Sequence, residues 1–372
     1  MKSYKLFEIC NPKQWKTISE KDLLDDGYPV YGANGIIGFY SEYNHEKETI
    51  LVTCRGATCG TVNISKPYSY VNGNAMALDD LNEELIHIDY LYYFLKFRGF
   101  NDVISGSAQP QIVRNAIGKI QIPVCDMETQ IQIVKTLKMA EELISNREAQ
   151  ISALDELTRS LFLDMFGDPS SNEKWDVNNL DALTLKITDG EHNNPEFLSS
   201  GEYMIKAKDV LESGISLDDP SYISTEDLNK FRKKCNPDLG DLLLVSRGAT
   251  IGRTTVVDTE IPFALMGSVI LIKLDTSLIN NYYLVNLLKS SFVKSKLVSA
   301  SSASAQQAIY LKDLKKLQIM LPPLQLQESY ANKVIEIEKQ KNVLLESLKE
   351  FENFFNGLLQ KAFSGELFQE QA

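Results

Sequence analysis

The strongest constraint on this chain is a pair of heptad repeats that lie 197 residues apart. From about Gln327 to Phe363, apolar side chains recur at alternating steps of four and three residues, with Lys341 as the one charged member. A matching series runs from about Gln130 to Phe166. This spacing places the side chains on one seam of a helix. At 1.5 Å per residue, each stretch predicts an unbroken helix of about 55 Å.

The two seams are predicted to pack against each other. A single apolar stripe at helical spacing is most often the buried face of an ordinary surface helix. Two stripes in the same phase, each closing one half of the chain, favour a shared helix pair. The residues expected at the helix-helix seam are Leu137, Ile144, Ile151, Leu154, Leu161, Val334, Ile337, Leu344, Leu348, Phe351, Phe355 and Leu358.

Other segments of the chain are repeated in the same order. Arg55-Gly-Ala-Thr58 recurs as Arg247-Gly-Ala-Thr250, and each copy lies between two stretches that read as strands. Lys119-Ile-Gln-Ile122 recurs as Lys316-Leu-Gln-Ile319, and prolines then lead into the long helix. A period of nearly 200 residues is far too long for a solenoid. It indicates a duplicated module in which a globular domain and a long helix each occur twice.

Length and composition indicate an ordinary globular protein. The 372 residues favour two or three domains, with 44% apolar and 24% charged side chains. No apolar run approaches the 18 residues of a membrane span, and the first residues lack a signal-peptide core, so a cytoplasmic location is expected. The five cysteines show neither a disulfide framework nor the spacing of a zinc site.

The net charge of −12 is unevenly distributed. Residues 1–124 carry 12 basic and 14 acidic side chains, and residues 171–321 carry 17 and 19, so each region is −2. The helical regions hold 4 basic against 9 acidic side chains (125–170) and 5 against 8 (322–372). The globular halves are therefore nearly neutral, and a local cluster such as Lys230 to Lys234 is compatible with a positive face.

Motifs of the common enzyme classes are absent from the sequence. There is no phosphate-binding loop, no His-Glu-x-x-His zinc motif, and no Asn/Asp-Pro-Pro-Tyr/Phe loop of a DNA-methylating enzyme. The three histidines, His45, His87 and His192, are scattered in polar contexts and are expected at the surface. The sequence therefore predicts a binding protein.

The paired arginine turns are the main candidates for binding. Glycine and threonine beside Arg55 and Arg247 allow backbone amides and hydroxyls to approach a phosphate while the guanidinium reaches a base edge. A tight hairpin whose arginine pairs with an internal carboxylate explains the motif equally well. Ser-Ala-Gln at 107–109 and 304–306 either reads bases or, as we favour, packs the domain on the helix. The predicted DNA contacts are Arg55, Thr58, Arg247, Thr250, Arg253, Lys230, Arg232, Lys233 and Lys234.

Taken together, these features resemble the specificity subunits of type I restriction-modification systems. The resemblance covers nearly the whole chain and is carried by the arginine turns, the proline segments before Gln130 and Gln327, Leu163-Asp-Met-Phe-Gly167 and the stretch Leu358 to Leu367. One departure is Lys13-Gln14-Trp15 in place of the family's usual Gly-Trp start. The family's motif therefore does not mark the N-terminal boundary of the first domain.

The resemblance implies an α+β fold. Two similar globular target-recognition domains, 1–125 and 171–322, would be joined by helical regions 126–170 and 323–372. In that family the two long helices form an antiparallel coiled coil with pseudo-twofold symmetry.

The resemblance also implies a non-catalytic DNA reader. Each domain would read one half of a split double-stranded site, and the helices would seat two methyltransferase subunits. Independently of the resemblance, rigid helices of about 55 Å are expected to set the spacing of the half-sites. Those subunits use S-adenosylmethionine, and two restriction subunits that use ATP with Mg can join them. This chain is expected to bind no cofactor or metal. The rivals are an adaptor whose duplicated domains bind protein or sugar, and an unfamiliar enzyme with a site between the halves.

Overall fold

The computed structural model describes residues 1–33, 35–106, 109–299 and 308–368. It divides into two compact units. Unit 1 contains Met1–Ala149 and Leu345–Ala372, and unit 2 contains Gln150–Leu344. Each unit therefore combines one globular domain with a segment from each of the two long helices.

Unit 1 is built mainly from short strands. Its strands are β1 (Lys2–Lys5), β2 (Asn11–Gln14), β3 (Tyr28–Gly32), β4 (Gly35–Tyr40), β5 (Ile50–Thr53), β6 (Val62–Ile64), β7 (Tyr70–Val71), β8 (Ala75–Asp79), β9 (Ile104–Ser105), β10 (Gln111–Ile112) and β11 (Gln121–Val124). Its helices are α1 (Leu6–Ile9), α2 (Ile88–Arg98), α3 (Arg114–Ile117) and the first part of α4 (Met127–Phe166), with a 3-10 turn at Glu20–Asp22.

Unit 2 repeats this order with additions. Its strands are β12 (Val177–Asn179), β13 (Thr184–Asp189), β14 (Glu202–Ile205), β15 (Val210–Leu211), β16 (Gly214–Ile215), β17 (Ser221–Ile223), β18 (Leu242–Val245), β19 (Thr254–Val256), β20 (Phe263–Leu265), β21 (Val269–Leu274) and β22 (Gln318–Met320). Its helices are α5 (Thr225–Lys234), α6 (Asn281–Lys289), α7 (Ser291–Ser299), α8 (Leu311–Lys315) and the first part of α9 (Leu324–Ser364), with 3-10 turns at Pro169–Ser171 and Leu180–Leu183.

The sheets confirm that the chain is duplicated. Unit 1 has an antiparallel sheet of order β2-β8-β5-β6, and unit 2 has its counterpart, β13-β21-β18-β19. A second sheet has the order β4-β3-β7 in unit 1 and β17-β14-β20 in unit 2, with one antiparallel and one parallel pair in each. The first and last strands also pair, as β1 with β11 and as β12 with β22.

In unit 1 the two long-helix segments run antiparallel. The guanidinium of Arg147 on α4 lies 5.1 Å from the ring of Phe351 on α9. Tyr93 donates to Glu141 over 2.5 Å, and its ring centroid is 6.4 Å from that of Phe355. Residues nearer the start of α4 therefore lie next to residues nearer the end of α9, as in an antiparallel pair.

The helix segments of unit 2 are also antiparallel. Asp155 on α4 accepts a hydrogen bond from Lys341 on α9, which is the charged member of the seam. Further along α4, the rings of Phe162 and Phe166 lie 5.6 and 5.2 Å from that of Tyr330. All twelve residues predicted for the seam are buried or half-buried, and both helices begin three residues before the predicted position.

A buried glutamine fastens the start of each long helix to its domain. Gln130 accepts from the backbone N–H of His87 (2.8 Å) and donates to the carbonyls of Leu85 and Cys125. Gln327 repeats this with the N–H of Asn280 (2.9 Å) and the carbonyl of Pro322 (2.8 Å). Both glutamines are fully buried. This contact explains why glutamine follows the proline segment in both copies.

Replacing Gln327 by leucine is expected to lower the free energy of unfolding by about 2–4 kcal/mol, because a buried N–H and a buried carbonyl would lose their partner. Chemical denaturation of the full chain would measure the loss. Gln325→Leu, at an exposed position on the same helical turn, is the matched control and should change stability by less than about 0.5 kcal/mol. Equal effects of the two substitutions would contradict this role.

Each domain is also covered by the end of the long helix that belongs to the other repeat. In unit 1, Phe363 at the end of α9 packs against Tyr90 and Phe94, with ring centroids 5.4 and 5.3 Å apart. In unit 2, Phe166 at the end of α4 lies 4.8 Å from Tyr283. A cut between the two repeats would therefore remove part of the core of each unit.

One expectation about the histidines is wrong. His45 is buried, not exposed: only 8% of its surface is accessible. Its Nδ1 lies 2.6 Å from the side-chain oxygen of Asn44, and its Nε2 lies 2.9 Å from Asp79, which also accepts from the indole N–H of Trp15. The imidazole is tolerated inside unit 1 because both ring nitrogens have polar partners. His87 is half-buried and caps α2, and His192 is exposed.

Candidate nucleic-acid interface

The Arg-Gly-Ala-Thr motif of unit 1 forms the tip of the hairpin between β5 and β6. The backbone of Thr53 donates to Thr61 and accepts from Gly60, both over 2.8 Å. Inside this loop, the N–H of Cys59 donates to the carbonyl of Gly56, whose φ of +93° favours glycine. Arg55 lies at the start of the turn with an exposed side chain.

The motif of unit 2 has the same backbone. Val245 donates to Arg253 and accepts from Gly252, both over 2.8 Å, and Ile251 donates to the carbonyl of Gly248. Gly248 has a φ of +95°. Arg247 is exposed at the same position of this turn. The two loops thus hold an arginine in the same way.

The expectation of a tight hairpin is confirmed, but the arginines do not pair with an internal acid. Among the described residues, neither Arg55 nor Arg247 has a carboxylate within 4.0 Å. Each arginine instead forms a backbone bridge to the segment that follows the polar loop, Arg55 to Gln111 and Arg247 to Ala308. Both side chains are left at the surface by this arrangement.

The threonines and the third arginine close these turns. The carbonyls of Thr58 and Thr250 accept from the N–H of Thr61 and Arg253. Thr58 is exposed and Thr250 is half-buried. The guanidinium of Arg253 is half-buried and donates to the carbonyl of Val210 over 3.1 Å. The guanidinium of Arg253 therefore stabilises the position of β15.

The basic cluster lies on α5, which is among the elements added in unit 2. Arg232 donates to the carbonyls of Pro237 and Phe263 and to Asp238. Lys230 and Lys233 are exposed, whereas Lys234 pairs with Asp189 at 3.0 Å. The structure thus uses two of the four cations for contacts inside the domain.

A cleft of about 270 Å³ lies beside Arg247. Asp189, Ser246, Tyr310 and Lys312 are among the residues that line it. Burial alone would raise the pKa of Asp189, but hydrogen bonds from Lys234 and His192 outweigh it and lower the pKa. Asp189 is therefore ionised at neutral pH.

The sequence reasoning missed Asp189, Tyr310 and Lys312. They lie far from Arg247 in sequence and reach it only through β13 and the segment after β21, so no local motif marks them. The Ser-Ala-Gln loops cannot be placed on this surface: 304–306 and two residues of 107–109 lie outside the described residues, and only Gln109, which is exposed, is described.

Comparison with known proteins decides the family. The sequence model of the family described as "Type I restriction modification DNA specificity domain" matches residues 1–155 and 172–350. The chain belongs to this family. It is therefore a specificity subunit of a type I restriction-modification system and a non-catalytic chain, as the sequence predicted.

Relatives and solved structures agree over most of the chain. A Haemophilus influenzae protein that carries the name of a type I restriction enzyme specificity subunit is 26% identical, over 90% of this chain and 86% of its own length. The MjaIX specificity subunit of Methanocaldococcus jannaschii is 24% identical, over 87% and 79%. The crystal structure of a type I S subunit from Mycoplasma genitalium shares the fold at a TM-score of 0.62 and 17% identity, over 97% and 96% of the two chains.

The predicted α+β fold class is confirmed, because the chain shares its fold with a solved type I S subunit and combines mixed α and β domains with two long helices. Within the described part of the chain, no helix is both long and apolar enough to cross a membrane.

Proposed function

We propose that this specificity subunit reads a bipartite double-stranded DNA site, one half with each globular domain, and that Arg55 and Arg247 contact the two halves. One observation carries the proposal: the same hydrogen-bonded turn presents an exposed arginine in both units. A guanidinium donates two parallel hydrogen bonds to guanine or to a phosphate. Thr58, Thr250, Lys230 and Lys233 are proposed as further contacts on the basis of their positions and chemistry.

The test uses the full chain assembled with its methyltransferase subunit. Wild-type complex should methylate a DNA library at one split sequence. Arg55→Ala should lower methylation mainly by weakening one half-site, and Arg247→Ala the other, each by about 10-fold or more, as expected for loss of a bidentate contact. Arg98→Ala, which removes a half-buried arginine that pairs with Asp102 and lies outside both turns, is the control. Methylation without sequence preference by the wild-type complex would contradict the proposal.

We also propose that the long helices dock two methyltransferase subunits. Two copies of one partner require two similar surfaces, and one pair of exposed apolar residues on the helices is repeated in that way. Phe354 in unit 1 and Leu157 in unit 2 are 59% and 50% exposed and occupy matching positions 197 residues apart. Each has an exposed apolar residue on the other helix segment of its unit, Leu143 in unit 1 and Val343 in unit 2. Exposed apolar side chains that lie close together are typical of protein interfaces.

A double substitution, Leu157→Glu with Phe354→Glu, is expected to weaken assembly with the methyltransferase at least about 10-fold, because a carboxylate would be desolvated at each contact. Light scattering of the purified subunits would measure the stoichiometry and the loss. Asn356→Glu, at an exposed position of the same helix, is the control and should assemble normally. Normal assembly of the double variant would place the docking surface elsewhere.

The remaining chemistry is proposed to lie in the partners. The methyltransferase subunits would bind S-adenosylmethionine, and two restriction subunits, where they join, would use ATP with Mg. The excess acid on the helical regions supports protein contacts there, while the nearly neutral domains, with their local basic groups, meet DNA.

A further inference from the structure

The two arginine turns share a backbone, but the side chains beside them differ. The N–H of Ile112 donates to the carbonyl of Cys54, and the N–H of Ile309 donates to that of Ser246. These bonds fix the register of the two units after the polar loops. Val113 in unit 1 therefore matches Tyr310 in unit 2, and Asn115 matches Lys312.

In unit 2 the flanking groups are aromatic and cationic. Tyr310 is 40% exposed, and Lys312, also exposed, has its Nζ 5.8 Å from the tyrosine ring. Both residues line the 270 Å³ cleft with Arg247. Asp189, which also lines the cleft, is paired with Lys234 at 3.0 Å and His192 at 2.6 Å. Lys312 has no carboxylate within 4.0 Å among the described residues, which leaves its ammonium available to a ligand.

In unit 1 the same positions are neutral. Val113 is 46% exposed, and Asn115 is exposed as well. Pairing with β8 and β21 places Gln14 where unit 2 has Asp189. Gln14 donates to the sulfur of Cys54 and to the carbonyl of Gly73. At these two positions unit 1 therefore carries an apolar side chain and an amide where unit 2 carries an aromatic ring and a cation. Arg114, which lies between them, donates to the carbonyl of Pro12 and to the side-chain oxygen of Asn11.

We propose that these flanking positions are specificity-determining: Lys312 with Tyr310 selects a G·C pair in the half-site read by unit 2, and Asn115 with Val113 selects an A·T pair in the half-site read by unit 1. This rests on the proposed function. Because the arginine is common to both units, it cannot by itself distinguish two different half-sites. Lysine donates to the O6 and N7 acceptors of guanine, asparagine pairs with adenine, and an apolar side chain contacts the thymine methyl group.

The experiment exchanges the flanking pair in the full chain. Tyr310→Val with Lys312→Asn, assembled with the methyltransferase subunit, is assayed on a library that varies every position of the site. One position in the half-site of unit 2 should change from G·C to A·T preference, with discrimination altered at least about 10-fold, while the other half-site is unchanged. Asn115→Lys in unit 1 should give the converse change in the other half-site.

Two controls keep the outcomes distinct. Lys312→Arg should retain the preference for G·C, and Lys316→Asn, at an exposed position close by, should change nothing. An active double variant with the original half-site preference would overturn the inference. If the double variant failed to fold, the single Lys312→Asn variant would replace it, and the original preference in that variant would also overturn the inference. A wild-type complex that methylates without sequence preference would instead remove the proposed function on which the inference rests.

Discussion

A fragment that ends after the first long helix, residues 1–168, is expected to form a homodimer. In the full chain, the end of α9 covers Tyr90 and Phe94 of unit 1 through Phe363. The fragment lacks α9, so these rings would be exposed. It does contain the matching helix end: Phe166 occupies the position of Phe363 in the repeat, and Leu161 that of Leu358. Two copies can therefore cover each other with α4, as α9 covers unit 1 in the full chain.

The fit would be imperfect, which limits the affinity. Thr158 replaces Phe355, and Met165 replaces Ala362, so the substituted interface would be underpacked at one point and overpacked at another. We expect a dimer with a Kd in the micromolar range, about −8 kcal/mol. Sedimentation equilibrium of the fragment would measure it. Phe166→Glu should give a monomer, and Arg159→Glu, which exchanges an exposed charge on the same helix, should not. A wild-type fragment that is monomeric at 100 times that concentration, ~100 µM, would contradict the expectation.

Long-range periodicity was the most informative part of the sequence. The heptad spacing predicts both long helices, which the structure contains as Met127–Phe166 and Leu324–Ser364. For the Arg-Gly-Ala-Thr turns, a tight hairpin is one of two interpretations that the sequence supports equally, because glycine and threonine between two stretches rich in β-branched residues are typical of a turn. These features depend on local patterns that packing does not override.

Contacts between distant segments could not be predicted from the sequence. The three-stranded sheets pair strands of two to six residues, such as Tyr70–Val71 with Val30 and Tyr31, and strands so short show no clear alternation. The burial of His45 depends on its neighbour Asn44 and on Asp79 and Trp15, and the last two reach the imidazole only in the folded domain. Likewise, the contacts of Arg232 and Arg253 with backbone carbonyls have no sequence signature. A charge cluster therefore looks the same in sequence whether it faces solvent or holds a loop.

Adding seven residues to each long helix is expected to lengthen the spacer between the two half-sites without changing the bases read. Both helices pass from one unit into the other, and the unit boundaries fall after Ala149 and Leu344. Seven residues inserted at each point add about 10 Å of helix, which equals the rise of about three base pairs. Seven is one heptad, so the residues on both sides keep their places on the seam.

The control for this insertion is one of four residues. Four residues also lengthen each helix, but they shift the seam out of its heptad phase, so the four-residue variant should be less stable and should assemble less well with the methyltransferase. Mapping methylated sites in cells that carry each variant would give the spacer and the half-sites directly. If the seven-residue variant methylated the original site with its original spacer, the helices would not set the distance. If its half-sites changed instead, base recognition would depend on the helices, and the assignment of base contacts to Arg55 and Arg247 would be wrong.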